Sequence, residues 1–241
     1  LGLDGIILAG GKGTRMRPLT LDTPKPLLLV QGRPILEWSL MSLHGIVDHV
    51  LIVVKYLKEQ IADYMATQTL FPDYTLVEQL PEPLGTGHAV MCCEDYLRSD
   101  EFIVVNGDDL YPKSALEELS RQPFGIMSIL KDDPSPYGAI LRDDAGNFLR
   151  IHEKPPVGLY PPPTPCNIGA YKFTSDVFNY RLEKSERGEY EITDYAGLAK
   201  VASHIVSVVD SPFWFPIGNP DNLNDAQSID ITRWIPIVEP L

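Results

Sequence analysis

This 241-residue chain is poor in cysteine, short of positive charge and without long apolar runs. Its three cysteines, Cys92, Cys93 and Cys166, form no even framework, and sequence neighbours rarely bridge each other. A disulfide scaffold is therefore excluded, and the reduced thiols of a cytoplasmic protein are expected. Five scattered histidines (His44, His49, His88, His152 and His204) show no metal-ligand spacing, which disfavours zinc. No apolar run approaches membrane-spanning length, and the first residues lack the basic lead and small-residue cleavage site of a signal peptide. Twenty Lys and Arg stand against 33 Asp and Glu, a net charge of −13 that opposes broad capture of nucleic acid or anionic membrane. An anionic substrate would need a local positive cluster working against that field. The chain starts without Met, as expected of a trimmed chain or a piece cut from a longer protein.

Such a cluster is present at the start. The apolar run Gly5-Ile6-Ile7-Leu8 reads as a buried strand that empties into Ala9-Gly10-Gly11-Lys12-Gly13-Thr14-Arg15, followed by Arg17 and by Lys25 between Pro24 and Pro26. Glycines let backbone N–H groups approach a ligand and form an oxyanion cradle. Cations set among them point to a polyphosphate rather than a lone carboxylate. The bland alternative is a tight strand-to-helix turn with solvated basic side chains; Arg15 and Lys25 bracketing the turn weigh against it. A Walker A loop would carry Lys-Ser or Lys-Thr after the last glycine, whereas Gly13 is followed by Thr14-Arg15. A dinucleotide fingerprint would run into a helix, which Pro18, Pro24 and Pro26 prevent.

Composition is that of an ordinary globule, 44% hydrophobic and 22% charged, and a single domain over 1–241 is the simplest account. Strands at 49–54, 74–78 and 101–105 alternate with helices at 34–43, 57–68 and about 86–97, the pattern of βαβ units and a mostly parallel sheet. Pro34 falls at a permitted first-turn position. The glycine loop and the turn Asn106-Gly107-Asp108-Asp109 both lie at carboxyl ends of strands, where such sheets bind ligands. Beyond residue 124 the pattern changes to a strand at 125–130, a hairpin of 137–141 with 148–151, and a proline-dense surface loop from Pro155 to Pro165. A strand at 168–173, helices at 175–183 and 192–203, a strand at 205–209 and a short helix at 220–228 complete the expectation.

The residues themselves resemble the sugar-1-phosphate nucleotidylyltransferases. That family's opening signature, Leu-Ala-Gly-Gly-x-Gly-Thr-Arg-x-x-Pro-Leu-Thr with Pro-Lys-Pro-Leu downstream, is matched by Leu8 to Thr20 and Pro24 to Leu27. The resemblance recurs in order at Gly85-Thr86-Gly87-His88-Ala89, Asn106-Gly107-Asp108, Tyr137-Gly138, Glu153-Lys154-Pro155, Asn167-x-Gly169 and Glu191-Ile192-Thr193-Asp194. It implies a Rossmann-like three-layer α/β/α domain with a mixed, mostly parallel sheet and a small antiparallel sub-layer. It further implies a magnesium-dependent reaction of a nucleoside triphosphate with a sugar 1-phosphate, giving a nucleotide sugar and pyrophosphate.

By the same resemblance, Leu8, Ala9, Gly10, Gly11, Gly13 and Thr14 cradle the triphosphate, Arg15 covers the departing pyrophosphate, and Lys25 holds the α-phosphate region. Asp108 falls at the Mg2+-ligand position, with Asp109 next to it expected to cap the following helix. Gln79, Gly85 and Thr86 fall at the base-reading positions, with a solvated strand end as the bland reading of Gln79 and a helix first-turn place as that of His88. The run from Gly85 to Ala89 looks most like uridylyltransferases of the N-acetylglucosamine type, so UTP is expected ahead of dTTP. Gly138, Glu153, Lys154 and Asn167 match the sugar-phosphate positions, and Tyr171 and Glu191 are candidates for the same pocket.

One departure stands out. The family usually carries Trp-x-Asp-x-Gly-x-Pro near its C-terminus, the aspartate being a second metal ligand. Here the run is Trp214-Phe215-Pro216-Ile217-Gly218-Asn219-Pro220. Asn219, Asp221 or the Pro216 carbonyl could substitute, Asp108 and the phosphates could hold the metal alone, or activity could be lost. Two alternatives follow: a non-catalytic nucleotide-sugar-binding regulatory subunit, and a cytidylyltransferase acting on a phosphorylated alcohol such as phosphocholine. A glycosyltransferase fits less well, because Asp108-Asp109-Leu110 lacks Asp-x-Asp. The chain stops soon after Ala226, as a minimal catalytic domain or one cut from a longer protein would; a homo-oligomer is compatible with the sequence.

Overall fold

Alternation along the first strand puts Ile6 on one face of a sheet and Ile7 on the other, and both are fully buried. A strand buried on both sides belongs between two layers of helices. The computed structural model describes residues 2–239; Leu1, Pro240 and Leu241, at the ends of the expected domain, lie outside the described residues. Its first half contains β1 (Asp4–Leu8), β2 (Leu29–Val30), β3 (Arg33–Pro34), α1 (Ile35–Leu43), β4 (His49–Val54), α2 (Lys58–Thr67), β5 (Tyr74–Glu78), α3 (Thr86–Met91) and β6 (Glu101–Asn106). There follow β7 (Asp109–Leu110), α4 (Lys113–Ser120), β8 (Gly125–Lys131), β9 (Gly138–Arg142), β10 (Phe148–Glu153) and β11 (Thr164–Thr174). The chain closes with α5 (Thr193–Val201), β12 (Ser207–Asp210), β13 (Phe215–Pro216) and α6 (Pro220–Ala226).

Among the described residues the central sheet has nine strands. β5, β4, β1 and β6 run parallel side by side, and β11 joins β6 antiparallel. β8 with β12 branches from β11 on one route, and the β9–β10 hairpin branches on another. α3 and α5 cover one face with Ile6 and Val104, while α1, α2 and α4 cover the other with Ile7 and Val105. This is the expected three-layer arrangement with its antiparallel sub-layer. A third cluster lies to one side, where Met16 of the opening loop packs with Trp38, Leu110, Ile217, Ala226, Ile231 and Ile235.

Several boundaries differ from expectation for physical reasons. The helix expected over 86–97 ends at Met91, and a 3-10 turn covers Glu94–Tyr96. A longer helix would have set Glu94 and Asp95 at its negative end. The chain instead straightens so that the N–H groups of Arg98 and Ser99 donate to Asp4 Oδ2, at 2.6 and 3.0 Å. The segment expected as a helix over 175–183 holds only a 3-10 turn, Ser175–Asn179, and α5 is shorter than 192–203. The strand expected at 168–173 begins at Thr164 and takes in Pro165 from the proline-dense loop. Pro165 is tolerated because this end of β11 pairs with β8, with one bridge, Cys166 to Ala139, on its other side. The strand expected at 205–209 is β12, and Pro34 stands at the N-cap of α1 rather than in its first turn.

Candidate active site

The opening loop is held from behind. Gly13 adopts the left-handed conformation (φ 61°), and a Cβ there would stand 3.0 Å from Thr20 Cγ2. Its carbonyl accepts the Thr20 hydroxyl at 2.6 Å and the Met16 N–H at 3.0 Å, closing a 3-10 turn over Thr14–Met16. Met16 is fully buried while Thr14, Arg15 and Arg17 on either side are exposed, so the loop is anchored by an apolar root with its cations outward. Ala9 is buried and gives its N–H to the Val53 carbonyl, which makes it part of the scaffold.

A cleft of ≈ 260 Å³ opens at the carboxyl ends of β1, β4, β5 and β6. Leu8, Gly10, Gly11, Gln79, Gly85, Thr86 and Asp108 of the expected set line it, together with Val53, Asn106 and Glu189. Gln79 is no solvated strand end; it is 5% exposed, and its Nε2 donates to the Gly85 carbonyl at 3.0 Å and lies 3.0 Å from His88 Nδ1. Gly85 has φ 106°, a backbone that side chains rarely adopt, and a Cβ there would come within 2.5 Å of the Tyr190 carbonyl. The strap that includes Tyr190 is tied on by Gly87 N–H to Tyr190 O and Tyr190 N–H to Leu84 O, both 2.8 Å. Burial lowers the basicity of His88, which favours its neutral imidazole.

Lys25 and Asp108 meet beside the cleft, Nζ to Oδ2 at 3.4 Å. Gly107 donates its N–H to the Leu8 carbonyl, laying the turn after β6 against the end of β1. Burial raises the Asp108 carboxyl above its usual range, opposed by Lys25 and then by Arg15. Arg15 therefore acts on Asp108 through space, and among the described residues it forms no ion pair of its own.

Asp109 does not cap a helix: it opens β7, and α4 starts later, behind Pro112. It is instead the hub of a buried polar cluster. Trp214 Nε1–H donates to Asp109 Oδ2 at 3.1 Å, and the Tyr111 hydroxyl lies 3.2 Å from the same oxygen while bonding to the Ile168 carbonyl at 2.7 Å. Burial, and then the neighbouring Asp108 charge, push the Asp109 carboxyl up to about 7.

Gly138, Glu153 and Asn167 come together although far apart in sequence. Glu153 pairs with Gly138 across the β9–β10 hairpin, and a Cβ on Gly138 would stand 2.8 Å from Glu153 Oε2 and 3.7 Å from Asn167 Cβ. Lys154 follows in left-handed backbone (φ 46°), its N–H held by the Tyr137 carbonyl at 2.8 Å. Non-glycine residues adopt that conformation at a cost of ~1 kcal/mol, which surrounding structure must offset. β11 slips register between Asn167 and Tyr171, where Asn167 Oδ1 accepts the Gly169 N–H and Nδ2 donates to the Tyr171 hydroxyl. Burial first, then Glu153, Glu191 and Asp109, raise the Tyr171 hydroxyl, opposed by its hydrogen bond with Asn167.

The nucleotidyl transferase family model matches residues 4–233. The chain belongs to the nucleotidyl transferase family. It is 35% identical over 227 residues to the bifunctional protein GlmU of Methanocaldococcus jannaschii, covering 93% of this chain and 53% of that protein. It is 30% identical over 239 residues to the bifunctional sugar-1-phosphate nucleotidylyltransferase/acetyltransferase of Sulfurisphaera tokodaii, covering 96% of this chain and 55% of that one. The chain thus spans about half the length of these curated relatives. A crystal structure from Bacillus anthracis, assigned as a glucose-1-phosphate thymidylyltransferase and complexed with sucrose, superposes with a TM-score of 0.81 at 25% identity, covering 99% of this chain and 98% of that one.

In this nucleotidyl transferase Pro216 is locked in place by its neighbours. β13 pairs with β7, Pro216 opposite Asp109, and Ile217 N–H donates to the Asp108 carbonyl at 3.1 Å. Of the expected substitutes, Asn219 is committed to capping α6, its side chain accepting the Asn222 N–H at 2.8 Å, and Asp221 is exposed in the first turn of that helix. Among the described residues no cluster of three His, Cys, Asp or Glu could hold a metal ion. Magnesium characteristically takes one or two carboxylates and completes its shell with substrate phosphates and water, so Asp108 beside a phosphate-sized cleft suits it. The parts absent from the sequence reading are the Asp109–Trp214–Tyr111 hub, Glu189 at the rim and the His88–Gln79 contact; all but the last join segments remote in sequence.

Proposed function

We propose that this chain, as one catalytic domain over 1–241, transfers a nucleotidyl group from a nucleoside triphosphate to a sugar 1-phosphate, with UTP favoured and dTTP next. The observation that carries the reading is one cleft that joins Gln79 and Gly85 to the glycine loop and Asp108. Gln79, Gly85, Gly10, Gly11 and Asp108 line it, Lys25 meets Asp108 at 3.4 Å, and β9, β10 and β11 bring Gly138, Glu153 and Asn167 together as a second group.

In this reaction a sugar-phosphate oxygen forms a bond to the α-phosphorus, and the bond from that phosphorus to the bridging oxygen breaks. Pyrophosphate leaves with the electron pair, so no protein nucleophile is needed. The backbone of Gly10 to Thr14 holds the triphosphate, Arg15 covers the pyrophosphate as its charge builds, and Lys25 steadies the α-phosphate. Each such charge-assisted contact contributes roughly 2–4 kcal/mol to the transition state. Lys154 suits the sugar phosphate, while Glu153 and Asn167 suit sugar hydroxyls. Asp108 would hold a divalent cation, Mg2+ in this reading, which would supply charge neutralisation to the phosphates. Reduced Cys92, Cys93 and Cys166 and these substrates fit a cytoplasmic setting.

Pyrophosphate release from a matrix of UTP, dTTP, CTP, ATP and GTP against several sugar 1-phosphates and phosphocholine, with Mg2+, tests the reading. Turnover with a uridine or thymidine triphosphate and a sugar phosphate is expected; turnover confined to CTP with phosphocholine would overturn it. The second reading, a non-catalytic nucleotide-sugar-binding subunit, is favoured by Pro216 alone. Saturable nucleotide-sugar binding with no pyrophosphate release would select it.

A further inference from the structure

Gln79 has a free end and a bound end. Its Nε2 is claimed twice, by the Gly85 carbonyl and by His88 Nδ1, each at 3.0 Å. The carbonyl can only accept, which settles that this end of the amide is the nitrogen. His88 Nδ1 also receives the Leu84 N–H at 3.3 Å, so it too is an acceptor and the ring proton sits on Nε2, 3.7 Å from Cys92 Sγ. Gln79 Oε1 then has one direction left: it faces the cleft, 3.6 Å from where a Cβ on Gly10 would stand. Among the described residues no donor reaches it, and no buried side-chain oxygen or nitrogen is left unpartnered, so Oε1 is open to the cleft.

From this geometry we infer that His88 is a positioning residue that locks the Gln79 amide with its acceptor toward the bound base, and so selects pyrimidines that carry a hydrogen on N3. The inference rests on the cleft being the nucleotide site. Uracil and thymine present an N3–H donor beside the O4 acceptor. Cytosine presents the reverse, an N3 acceptor beside an amino donor. Oε1 accepts from the first and faces the lone pair of the second. The Gly85 N–H, on the same wall and without an acceptor among the described residues, completes a pair that matches O4. An amide held by neither group could turn its nitrogen toward cytosine N3, leaving only the Gly85 N–H to oppose the cytosine amino group. A locked one would have to give up two hydrogen bonds to do so, and a buried polar group left unpaired is costly. His88 is therefore kept from the base, yet together with the Gly85 carbonyl it holds the amide that reads it.

Calorimetry of UTP and CTP, each with Mg2+, on the parent chain and on His88→Ala, His88→Leu, His88→Asn and Gln79→Ala tests this. The parent is expected to prefer UTP by at least about tenfold, and His88→Ala and His88→Leu, which keep only the Gly85 carbonyl on the amide, to lose at least about threefold of that preference. His88→Asn, whose Oδ1 can accept where Nδ1 stood, is expected to regain most of the preference. Inorganic tripolyphosphate should bind equally to all folded variants, separating a lost base reading from a damaged protein. A parent-like ratio in a folded His88→Ala or His88→Leu, with a collapsed ratio in Gln79→Ala, overturns the lock and leaves the site assignment standing. A parent ratio in Gln79→Ala, or a parent that binds UTP and CTP alike, overturns the site assignment itself.

Discussion

Pro216 lies across from Asp109 in a two-residue antiparallel ladder, one peptide away from the hydrogen bond that Ile217 gives to the Asp108 carbonyl. Opposed residues of such a ladder share a face. Replacing Pro216 with aspartate therefore adds a third carboxylate to a pair that already repel each other. Without metal, Pro216→Asp should melt about 3–6 °C lower than the parent, corresponding to a loss of roughly 1–2 kcal/mol. With Mg2+ and UTP it should gain more in melting temperature than the parent does, and reach half-maximal turnover at lower Mg2+. Scanning fluorimetry and a Mg2+ titration of pyrophosphate release check both; equal Mg2+ dependence would mean that position 216 does not face the metal.

Arg15 offers the cleanest separation of chemistry from folding. Its side chain is exposed on a loop whose anchor is its neighbour Met16. Arg15→Ala should change the melting temperature by no more than about 1–2 °C while lowering turnover about a hundredfold. Steady-state pyrophosphate release with a thermal melt decides the matter, and near-parental turnover would remove Arg15 from the mechanism.

Asp109 gives the stability a pH dependence of predictable sign. The fold prefers its protonated form, since its carboxyl is raised from 3.8 to about 7. Between those values the folded chain holds a proton that the unfolded chain has released, so this group's contribution falls as pH rises and levels off above about 7. Asp109→Asn abolishes that titration. It should be more stable than the parent at pH 8 by on the order of 2–4 kcal/mol, with the gap closing toward pH 4. Metal-free urea melts across that range measure it.

Gly85→Ala should damage both fold and site. The new Cβ meets the Tyr190 carbonyl at 2.5 Å and Glu189 Cβ at 2.9 Å, on backbone that only glycine adopts readily. A loss of about 2–4 kcal/mol is expected from strain and displacement of the strap. UTP affinity should fall at least about tenfold, because the strap residue Glu189 and Gly85 line the same cleft. Calorimetry on the folded fraction measures the second effect.

What the sequence showed clearly was what is encoded locally. The run from His49 to Val54 is buried at every position, and an unbroken apolar strand of that length announces a two-sided sheet. The opening loop was legible for the same reason: its glycines, Arg15 and Lys25 lie within one short stretch. Asp109 was misread because its partner Trp214 is remote, and nothing near Asp109 announces it. Likewise the end of α3 depends on Asp4, which draws in the Arg98 and Ser99 N–H groups at the amino ends of β1 and β6. His88 was visible as part of a motif, but its task is a proton position set by Leu84 and Gln79, which residue identity alone does not convey.

Met16, the buried root of the opening loop, shares its cluster with Ile217, Ala226, Ile231 and Ile235. The opening loop thus rests on residues that are synthesised long after it. During synthesis the nascent sheet can begin to pair while that loop still lacks its footing, because long-range contacts form only once the intervening chain exists. The opening loop accordingly takes its shape only once α6 and the residues just after it have docked.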